Sequence, residues 1–331
     1  MSKNAIISKL GVLAQKREYG VLALLVVTFI TVGSQNHAFL AMGNLKDMLV
    51  ACAPVAIIAC GMTFVLLLGE IDISVGSMMG LLAAVIGILT SPQHMGLPVG
   101  VGICITLLLG TGLGLINGLL VTFGKVPSII VTLGMLTALR GITELLMAGR
   151  WITQLPPGLR VLGVGTILGV PVCIWVAVVV AAASILMARE TPLGRRIYAV
   201  GSNSKAALVA GLPERRLKIF AFALTGFLTA VATLVSVPLL SVIESGIGNS
   251  LEMLVVTCVV VGGTSTNGGR GTIIGSILGV LLLGMVRTDL IFLRLGETST
   301  YWERAIQGAF ILVAVLIDHI ARRRSNLEVT Q

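Results

Sequence analysis

The sequence is a succession of long apolar stretches separated by short polar breaks. A membrane-spanning helix needs about 20 predominantly apolar residues, and ten stretches approach that length. They cover residues 20–40, 47–68, 73–91, 98–122, 127–148, 170–188, 217–240, 251–265, 271–292 and 303–320. Backbone amides in lipid must be hydrogen-bonded within the segment, so each stretch is predicted to be helical. The sequence therefore predicts an all-α, polytopic membrane helix bundle with about ten transmembrane helices, and a single transmembrane domain over residues 1–331.

One predicted span differs from the others. The stretch 251–265 is short for a helix that crosses a bilayer. We expect it to be tilted, broken or partly re-entrant.

The composition agrees with a membrane protein. Hydrophobic residues make up 56% of the chain and charged residues only 11%, whereas soluble domains average about 25% charged residues. A net charge of +9 would suggest nucleic-acid binding in a soluble protein, but no basic stretch is interleaved with the aromatic residues that stack on bases. We therefore expect the chain to contact membrane lipid and to bind no nucleic acid.

Lysine and arginine residues concentrate on one side of the predicted bundle. With ten spans and an interior N-terminus, the interior segments are the two terminal tails and the loops near residues 70, 125, 190–216 and 268, and together they hold most of these residues, although the loop near 70 has none. Cytoplasmic loops of membrane proteins are enriched in these residues. Both termini are therefore predicted to be cytoplasmic, and the first apolar stretch is predicted to be an uncleaved span rather than a signal peptide.

Small residues recur at a four-residue spacing in several predicted spans. The pairs are Gly76/Gly80, Gly110/Gly114, Gly114/Gly118, Gly271/Gly275 and Gly275/Gly279. Such spacing lets helices approach closely, and we interpret these glycines as packing residues. A weak internal similarity also links residues 67–77 with residues 260–271, each a helix end followed by a polar turn and a Gly-bearing helix. Internal repeats are frequent in transporters.

The longest polar segment on the interior side covers residues 191–218. Within it, Asn203 or Ser204 can cap a short helix over residues 205–210, because both side chains accept hydrogen bonds from the first free amides of a helix. Gly211 suits the left-handed position that follows the end of a helix. The segment is therefore predicted to carry a helix of about two turns.

This short helix is unusually apolar, since it contains Ala206, Ala207 and Leu208. A helix of two turns is not stable alone in water. It must pack against its own bundle or dock in the groove of a partner. The residues alone leave both interpretations open.

Four stretches of the sequence carry a resemblance to a known family. They are residues 69–77, residues 126–134 followed by Arg140-Gly141, residues 191–211 and residues 261–271. In order and spacing they resemble the permease subunits of bacterial ABC sugar importers, in the ribose, xylose, arabinose, rhamnose and autoinducer-2 branch. Residues 149–152 with Leu155-Pro156 are similar to the autoinducer-2 and rhamnose types.

The resemblance implies a permease subunit, and therefore no enzyme, in the bacterial inner membrane. Two permease chains, identical or different, would form the path for a monosaccharide, a cytoplasmic ATPase would drive them, and a periplasmic binding protein would deliver the sugar. The short helix corresponds to the family's ATPase-coupling segment, whose contact residues here would be Ser204, Ala206, Ala207, Leu208 and Gly211. Lys205 departs from the wider ABC importer pattern, in which an acidic residue is common.

The chain has no sequence motif for binding ATP. The nearest candidate, Gly118 to Lys125, has one residue too many between its glycines and is followed by Val126 instead of Ser or Thr. The five cysteines lack the spacing of a zinc or redox motif. We therefore expect no metal and no cofactor on this chain, with ATP and Mg²⁺ bound by the partner ATPase.

Charged residues inside or beside the predicted spans are further candidates, because charge is costly in lipid. Arg140 and Glu144 are four residues apart, so they can pair on one helix face or contact a polar substrate in the pathway. Glu70 and Asp72 lie at a Gly-flanked turn. Asp72 or the nearby Ser74 can cap the next helix, but the two acids could also gate the path or carry protons.

Two more acids, Glu244 and Glu252, lie near the predicted outer ends of the seventh and eighth spans and are candidates for contact with the binding protein. Rival classes of protein remain. An ion-coupled secondary transporter would use Glu70 or Asp72 as a proton relay. A passive channel or a scaffold would have no use for the apolar loop helix.

Overall fold

The computed structural model describes residues 17–240 and 242–292, together with scattered positions between 302 and 312. Most of the predicted tenth span, 303–320, lies outside these residues, as do the N-terminal tail and the C-terminus.

The described residues are mainly helical, with turns, two 3₁₀ turns and a short hairpin between the helices. The helices are α1 (Arg17–Gln35), α2 (Met42–Leu67), α3 (Val75–Thr90), α4 (Val99–Gly124), α5 (Ser128–Met147), α6 (Pro157–Val164), α7 (Val172–Glu190), α8 (Pro192–Ser202), α9 (Ser204–Val209), α10 (Glu214–Ser236), α11 (Leu251–Val261) and α12 (Ile273–Phe292). Two 3₁₀ turns, His37–Leu40 and Val237–Leu239, follow α1 and α10. A short antiparallel hairpin, β1 (Thr166–Ile167) and β2 (Val170–Pro171), precedes α7.

Prolines set the start of many of these helices. Pro98, Pro127, Pro171 and Pro213 directly precede α4, α5, α7 and α10. Proline fits the beginning of a helix because its fixed backbone angle suits the first turn and no amide partner is lost there.

The predicted class of fold, an all-α polytopic bundle, is confirmed. Within the described residues, seven helices are long and apolar enough to cross a membrane, namely α1, α2, α4, α5, α7, α10 and α12. The shorter apolar helices α3 and α11 fall on two further predicted spans, 73–91 and 251–265. The total number of spans and the side on which the termini lie stay predictions.

The bundle is organised around three helices. Most residues of α3, of α10 and of the second half of α2 are buried. Helices α1, α4, α5 and α7 lie outside them and expose large apolar side chains, including Leu108 and Leu145. An apolar outer surface of this extent is what a protein in contact with lipid requires.

Glycine spacing explains how closely α4 and α10 pack. Backbone and side-chain atoms of α10 lie within 3 Å of where a Cβ atom would stand on Gly110, Gly114 or Gly118. These three glycines therefore act as the helix-packing residues that their spacing predicts. Gly275 and Gly279 of α12 are packed in the same way against the backbone of Gly262 and Cys258.

This close packing leads to a stability prediction. Replacing Gly114 with Val should destabilise the bundle by about 1–3 kcal/mol, because the new side chain would meet the carbonyl group of Phe222. Gly112 is the matched control on the same helix, since a Cβ there meets nothing within 4 Å. Thermal unfolding in detergent should show a lower midpoint for Gly114→Val than for Gly112→Val, and equal midpoints would contradict the close contact.

The chain between α10 and α11 is a non-helical segment, residues 242–250, that runs alongside α3. The side chain of Ile243 contacts α3 at Gly87. Farther along the segment, the carbonyl of Ile247 lies against Gly80 and the carbonyl of Gly248 lies against Gly76. Gly76 and Gly87 are 11 positions apart, or about 16 Å along the helix. We interpret segment 242–250 and α11 together as one interrupted span. Helix α11 has only 11 residues and ends at Val261, so the predicted stretch 251–265 is broken, as one of its three predicted forms.

Candidate functional site

One side of the bundle carries α9, and we call it the α9 side. The turns after α2 and α11 meet there: the amide of Gly269 donates to the carbonyl of Leu67 at 2.9 Å. Gly69 lies against Asn267, where a Cβ on Gly69 would stand 3.3 Å from the Asn267 carbonyl oxygen. The two segments with internal sequence similarity are therefore direct neighbours in the fold.

Helix α8 is fixed onto these two turns. The hydroxyl of Tyr198 donates to the carbonyl of Gly271 at 2.8 Å. Burial raises the pKa of the Tyr198 phenol, so it stays protonated and keeps donating this bond. Gly201 lies so close to Leu67 and Gly269 that no side chain would fit. The base of α9 is therefore rigidly connected to the ends of α2 and α11.

Helix α9 has well-formed caps at both ends. Asn203 supplies the N-cap: its Oδ1 accepts from the amide of Ala206 at 3.0 Å. At the other end Gly211 adopts φ +73°, and the carbonyls of Leu208 and Ala207 accept from the amides of Gly211 and Leu212 at 3.0 and 2.9 Å. This pair of bonds is a Schellman motif, which satisfies the last carbonyls of a helix. The structure thus selects Asn203 over Ser204 as the cap and confirms the role predicted for the Gly211 backbone.

The apolar side chains of α9 point in two directions. Ala207 is only 5% exposed and packs on the bundle, whereas Leu208 is 68% and Val209 is 90% exposed. The helix therefore packs on its own bundle through one side chain and leaves others uncovered, while docking to a partner stays a prediction. Ala207 is an anchor and does not belong to the exposed surface, while Ala206 is exposed. We define the exposed apolar face of α9 as Ala206, Leu208 and Val209.

A chain of polar contacts connects α9 to the turn after α2. The Ser204 hydroxyl donates to Glu214 Oε2 at 2.7 Å. Lys218 Nζ lies 2.8 Å from Glu214 Oε1 and 2.8 Å from Glu70 Oε1. The side chains of Lys218 and Glu70 are 20% and 15% exposed, so solvent screens this pair less than a surface ion pair. We call Ser204, Glu214, Lys218 and Glu70 the polar chain.

The sequence identifies Ser204 and Glu70 as candidate residues, but the other two members of the polar chain were not predicted. Glu214 and Lys218 have the spacing of a helical ion pair, and this spacing could have identified them. The pairing of Lys218 with Glu70 joins residues from distant parts of the sequence, and no local pattern predicts it.

Beyond Glu70, the turn leads into a buried polar group. Asp72 Oδ1 accepts from the amide and the hydroxyl of Ser74 at 2.9 and 2.6 Å, and Asn117 Nδ2 donates to the Ser74 hydroxyl at 2.8 Å. All three residues are fully buried. Asp72 therefore closes the turn just before α3, and Ser74 occupies the N-cap position of α3 without a capping bond from its side chain. The prediction that Asp72 or Ser74 caps α3 through its side chain is therefore wrong. Asp72 instead stabilises the turn that precedes the helix.

The possible ion pair between Arg140 and Glu144 is absent from the structure. Arg140 Nη1 instead donates to the carbonyls of Ser245 and Ile247 at 2.9 and 3.0 Å. Glu144 is exposed and has no ion-pair partner among the described residues. The four-residue spacing allows a pair, but the backbone of segment 242–250 offers Arg140 two acceptors, and Gly80 leaves room for the guanidinium.

Two acids near the opposite ends of segment 242–250 differ in exposure. Glu244 is exposed, whereas Glu252 in the first turn of α11 is half-buried. A Cβ on Gly76 would collide with the Glu252 carboxylate, which places this side chain against α3. Of the two predicted contacts with a binding protein, Glu244 has the accessibility that such a contact needs.

A charged cavity of about 420 Å³ opens on the α9 side next to the polar chain. Its lining residues are Glu70, Val121, Thr122, Lys125, Val126, Pro127, Glu214, Arg215 and Lys218. Among the described residues, no group of three or more His, Cys, Asp or Glu side chains is placed to hold a metal ion.

These features define a class: a multi-pass helical membrane protein whose α9 side carries a capped, partly exposed apolar helix. A model of the family described as the permease component of a branched-chain amino acid transport system matches residues 44–315. The chain belongs to this family of transport permeases.

Relatives with high coverage confirm the resemblance seen in the sequence. The chain is 38% identical to the ribose import permease RbsC of Haemophilus influenzae, over 89% of this chain and 91% of the relative. It is 37% identical to RbsC of Bacillus subtilis, over 89% of this chain and 90% of the relative. It is 33% identical to the autoinducer 2 import system permease LsrC of Salmonella typhi, over 91% and 85%. No solved structure matches the chain.

Proposed function

We propose that this chain is the membrane-spanning subunit of an ATP-binding-cassette importer in the bacterial inner membrane. It moves a monosaccharide or a similar small polyol-like solute into the cytoplasm by alternating access, and a separate ATPase provides the energy. The observation that carries the proposal is the exposed apolar face of α9, which the polar chain connects to the turn that enters the central helix α3. The names of the relatives, which import ribose or autoinducer 2, support the class of solute.

Three partners follow from this proposal. A second permease chain, identical or different, completes the path. A cytoplasmic ATPase binds ATP and Mg²⁺ and receives the exposed apolar face of α9, which explains why Leu208 and Val209 are left uncovered in the single chain. A periplasmic binding protein delivers the solute on the opposite side, where Glu244, next to the last turn of α3, is exposed at the mouth of the path. This chain needs no cofactor of its own.

An ion-coupled secondary transporter is the second candidate, and one observation favours it: Asp72 Oδ2 is buried and has no hydrogen-bond partner in the described structure. A proton relay needs acids that can exchange protons with water. Glu70 is held by Lys218, and Asp72 is fully buried with Ser74 and Asn117. The exposed apolar face of α9 has no purpose in a transporter that works alone. The structure therefore supports the ATP-driven mechanism better.

Reconstitution into proteoliposomes tests the proposal. The permease, its partner ATPase and a periplasmic binding protein should together take up a radiolabelled monosaccharide such as ribose, only when ATP is present on the ATPase side. Omitting the ATPase, or replacing its Walker-A lysine, should abolish uptake, whereas an uncoupler should have no effect. Uptake by the permease alone, driven by an ion gradient and stopped by the uncoupler, would establish the secondary transporter instead.

A further inference from the structure

Segment 242–250 is non-helical backbone that lies beside α3, an apolar helix on a predicted membrane span, and we therefore place it within the membrane. Along about 16 Å of the central helix α3 it lies next to Gly87, then Gly80, then Gly76. The hydrocarbon layer of a bilayer is about 30 Å thick, so the segment covers roughly half of that depth. Non-helical backbone is tolerated there only where protein buries it or where it lines a water-filled cavity.

One face of the segment is held by protein. The Ile247 carbonyl lies 2.7 Å from where a Cβ on Gly80 would stand, so only glycine allows this approach. Arg140 donates to the carbonyls of Ser245 and Ile247. Ile243 pairs with Ile152 through an antiparallel bridge with bonds of 2.9 and 3.1 Å. The backbone polar groups on this face are therefore satisfied and fixed in place.

The other face carries exposed polar side chains. Glu244, Asn249 and Ser250 are all exposed, although the adjacent α3 is buried almost throughout. Glu244 and Asn249 lie on the same side of Gly246: a Cβ there would stand 3.5 Å from Glu244 Oε1 and 3.7 Å from Asn249 Nδ2. Ser250 adopts φ +64°, and its hydroxyl does not cap α11. A carboxylate, an amide and a hydroxyl at membrane depth would be costly against lipid.

We propose that this polar face of segment 242–250 lines the path through the membrane, and that Glu244, Asn249 and Ser250 hydrogen-bond the hydroxyl groups of the passing sugar. The solute class rests on the proposed function, whereas the contact with water rests on the interrupted span alone. Transporters frequently place their substrate sites at interrupted helices near the middle of the membrane. In this fold, segment 242–250 interrupts the helical path between α10 and the short apolar helix α11.

The side chains on this face favour a neutral polyol. A carboxylate accepts hydrogen bonds from hydroxyl groups, and an amide can both donate and accept, so the pair suits neighbouring hydroxyls on one ring. An anionic solute would meet the Glu244 carboxylate on this face, whereas the Arg140 guanidinium is taken up by the Ser245 and Ile247 carbonyls on the opposite face. Residues 242–250 contain no aromatic side chain on which a sugar could stack. The interaction should therefore be weak, as a path that must release its solute requires.

Thiol labelling in the complete transporter tests the proposal. Cys104 is the exposed native cysteine among the five, and the other four are buried, so Cys104→Ser provides the background. Asn249→Cys and Ser250→Cys should react with a charged methanethiosulfonate reagent at least about 10-fold faster than Leu108→Cys, and ribose should slow the reaction. Leu108 is the matched control because it is exposed on the outer, apolar surface of α4. Asn249→Ala should also raise the ribose concentration for half-maximal uptake about 5-fold, as expected for one lost hydrogen bond.

The outcomes separate this inference from the proposed function. If Asn249→Cys and Ser250→Cys resist the charged reagent as Leu108→Cys does, the segment does not face water and the inference is overturned, whatever drives uptake. If they react but ribose gives no protection and Asn249→Ala transports normally, the assignment of sugar contacts is overturned. If they react with protection while uptake proves to be gradient-driven, the path stands and the ATP-driven mechanism fails.

Discussion

Replacing Leu208 and Val209 together with glutamate is expected to release the ATPase from the permease and to abolish uptake. Both side chains are largely exposed in the single chain and are available for burial in a partner's groove. Burying an aliphatic side chain of this size contributes about 1.5–3 kcal/mol, so losing two should weaken the complex at least about 100-fold. Buried carboxylates without partners would weaken it further.

The permease itself should fold normally in this double variant. Ala207 anchors α9 on the bundle, and the Asn203 and Gly211 caps are untouched by the substitutions. Co-purification with the ATPase measures the expected loss, and the unfolding midpoint in detergent checks the fold. This pair of substitutions is a cleaner test than one at Ala207, because a charged residue at that buried site would disturb the bundle as well as the interface.

A matched control is available on the opposite side of the molecule. Val161 and Val164 of α6 are also exposed, and α6 packs near the far end of α10, where Gly163 lies against Pro238. Val161→Glu with Val164→Glu should leave ATPase binding unchanged. Equal ATPase binding by both double variants and by the unmodified chain would contradict docking through α9.

The second large effect is expected from Lys218→Met, which removes the cation at the centre of the polar chain. Glu70 and Glu214 would then lose the cation that bridges them, and of the cations lining the same cavity only Lys125 and Arg215 would remain. Removing one partner of such a charged hydrogen bond costs about 2 kcal/mol. The first turn of α10 and the turn after α2 should separate, which leaves only the contacts of α8 to transmit motion of α9 toward α3.

Coupling is the property that this variant should lose. In proteoliposomes, the Lys218→Met transporter should still bind the ATPase and hydrolyse ATP, but the amount of sugar moved per ATP should fall at least about 10-fold. Arg216→Met is the control, because Arg216 lies exposed on the same turn of α10 and has no ion pair among the described residues. Adding Glu70→Gln to Lys218→Met should restore stability without restoring coupling. An unchanged ratio of uptake to hydrolysis in Lys218→Met would exclude the polar chain as the link.

Much of the fold follows from the sequence because hydropathy, and the residues that begin and end helices, act locally. The apolar stretches locate the helices, prolines such as Pro127 and Pro213 mark helix starts, and Gly211 ends α9 as its lack of a Cβ predicts. The α4 glycines pack on α10 because small residues at this spacing form a flat face. These features need no knowledge of distant parts of the chain.

The candidate site was less predictable because its contacts are long-range. Arg140 and Glu144 have the right spacing for an ion pair, but the choice was decided by carbonyl groups of Ser245 and Ile247, more than 100 residues away. Gly76 and Gly80 were interpreted as a helix-packing pair, yet they receive non-helical backbone. A local pattern shows what a residue can do, and the tertiary fold decides which partner it meets.

The most direct test of the mechanism is to measure on which side of the membrane α9 lies and whether the ATPase covers it. A cysteine introduced as Val209→Cys in the Cys104→Ser background can be labelled with a membrane-impermeant maleimide in vesicles of known orientation. We predict rapid labelling from the cytoplasmic side only, and at least about 10-fold slower labelling once the ATPase is bound. Labelling from the external side, or labelling that the ATPase does not slow, would contradict ATP-driven transport through this helix.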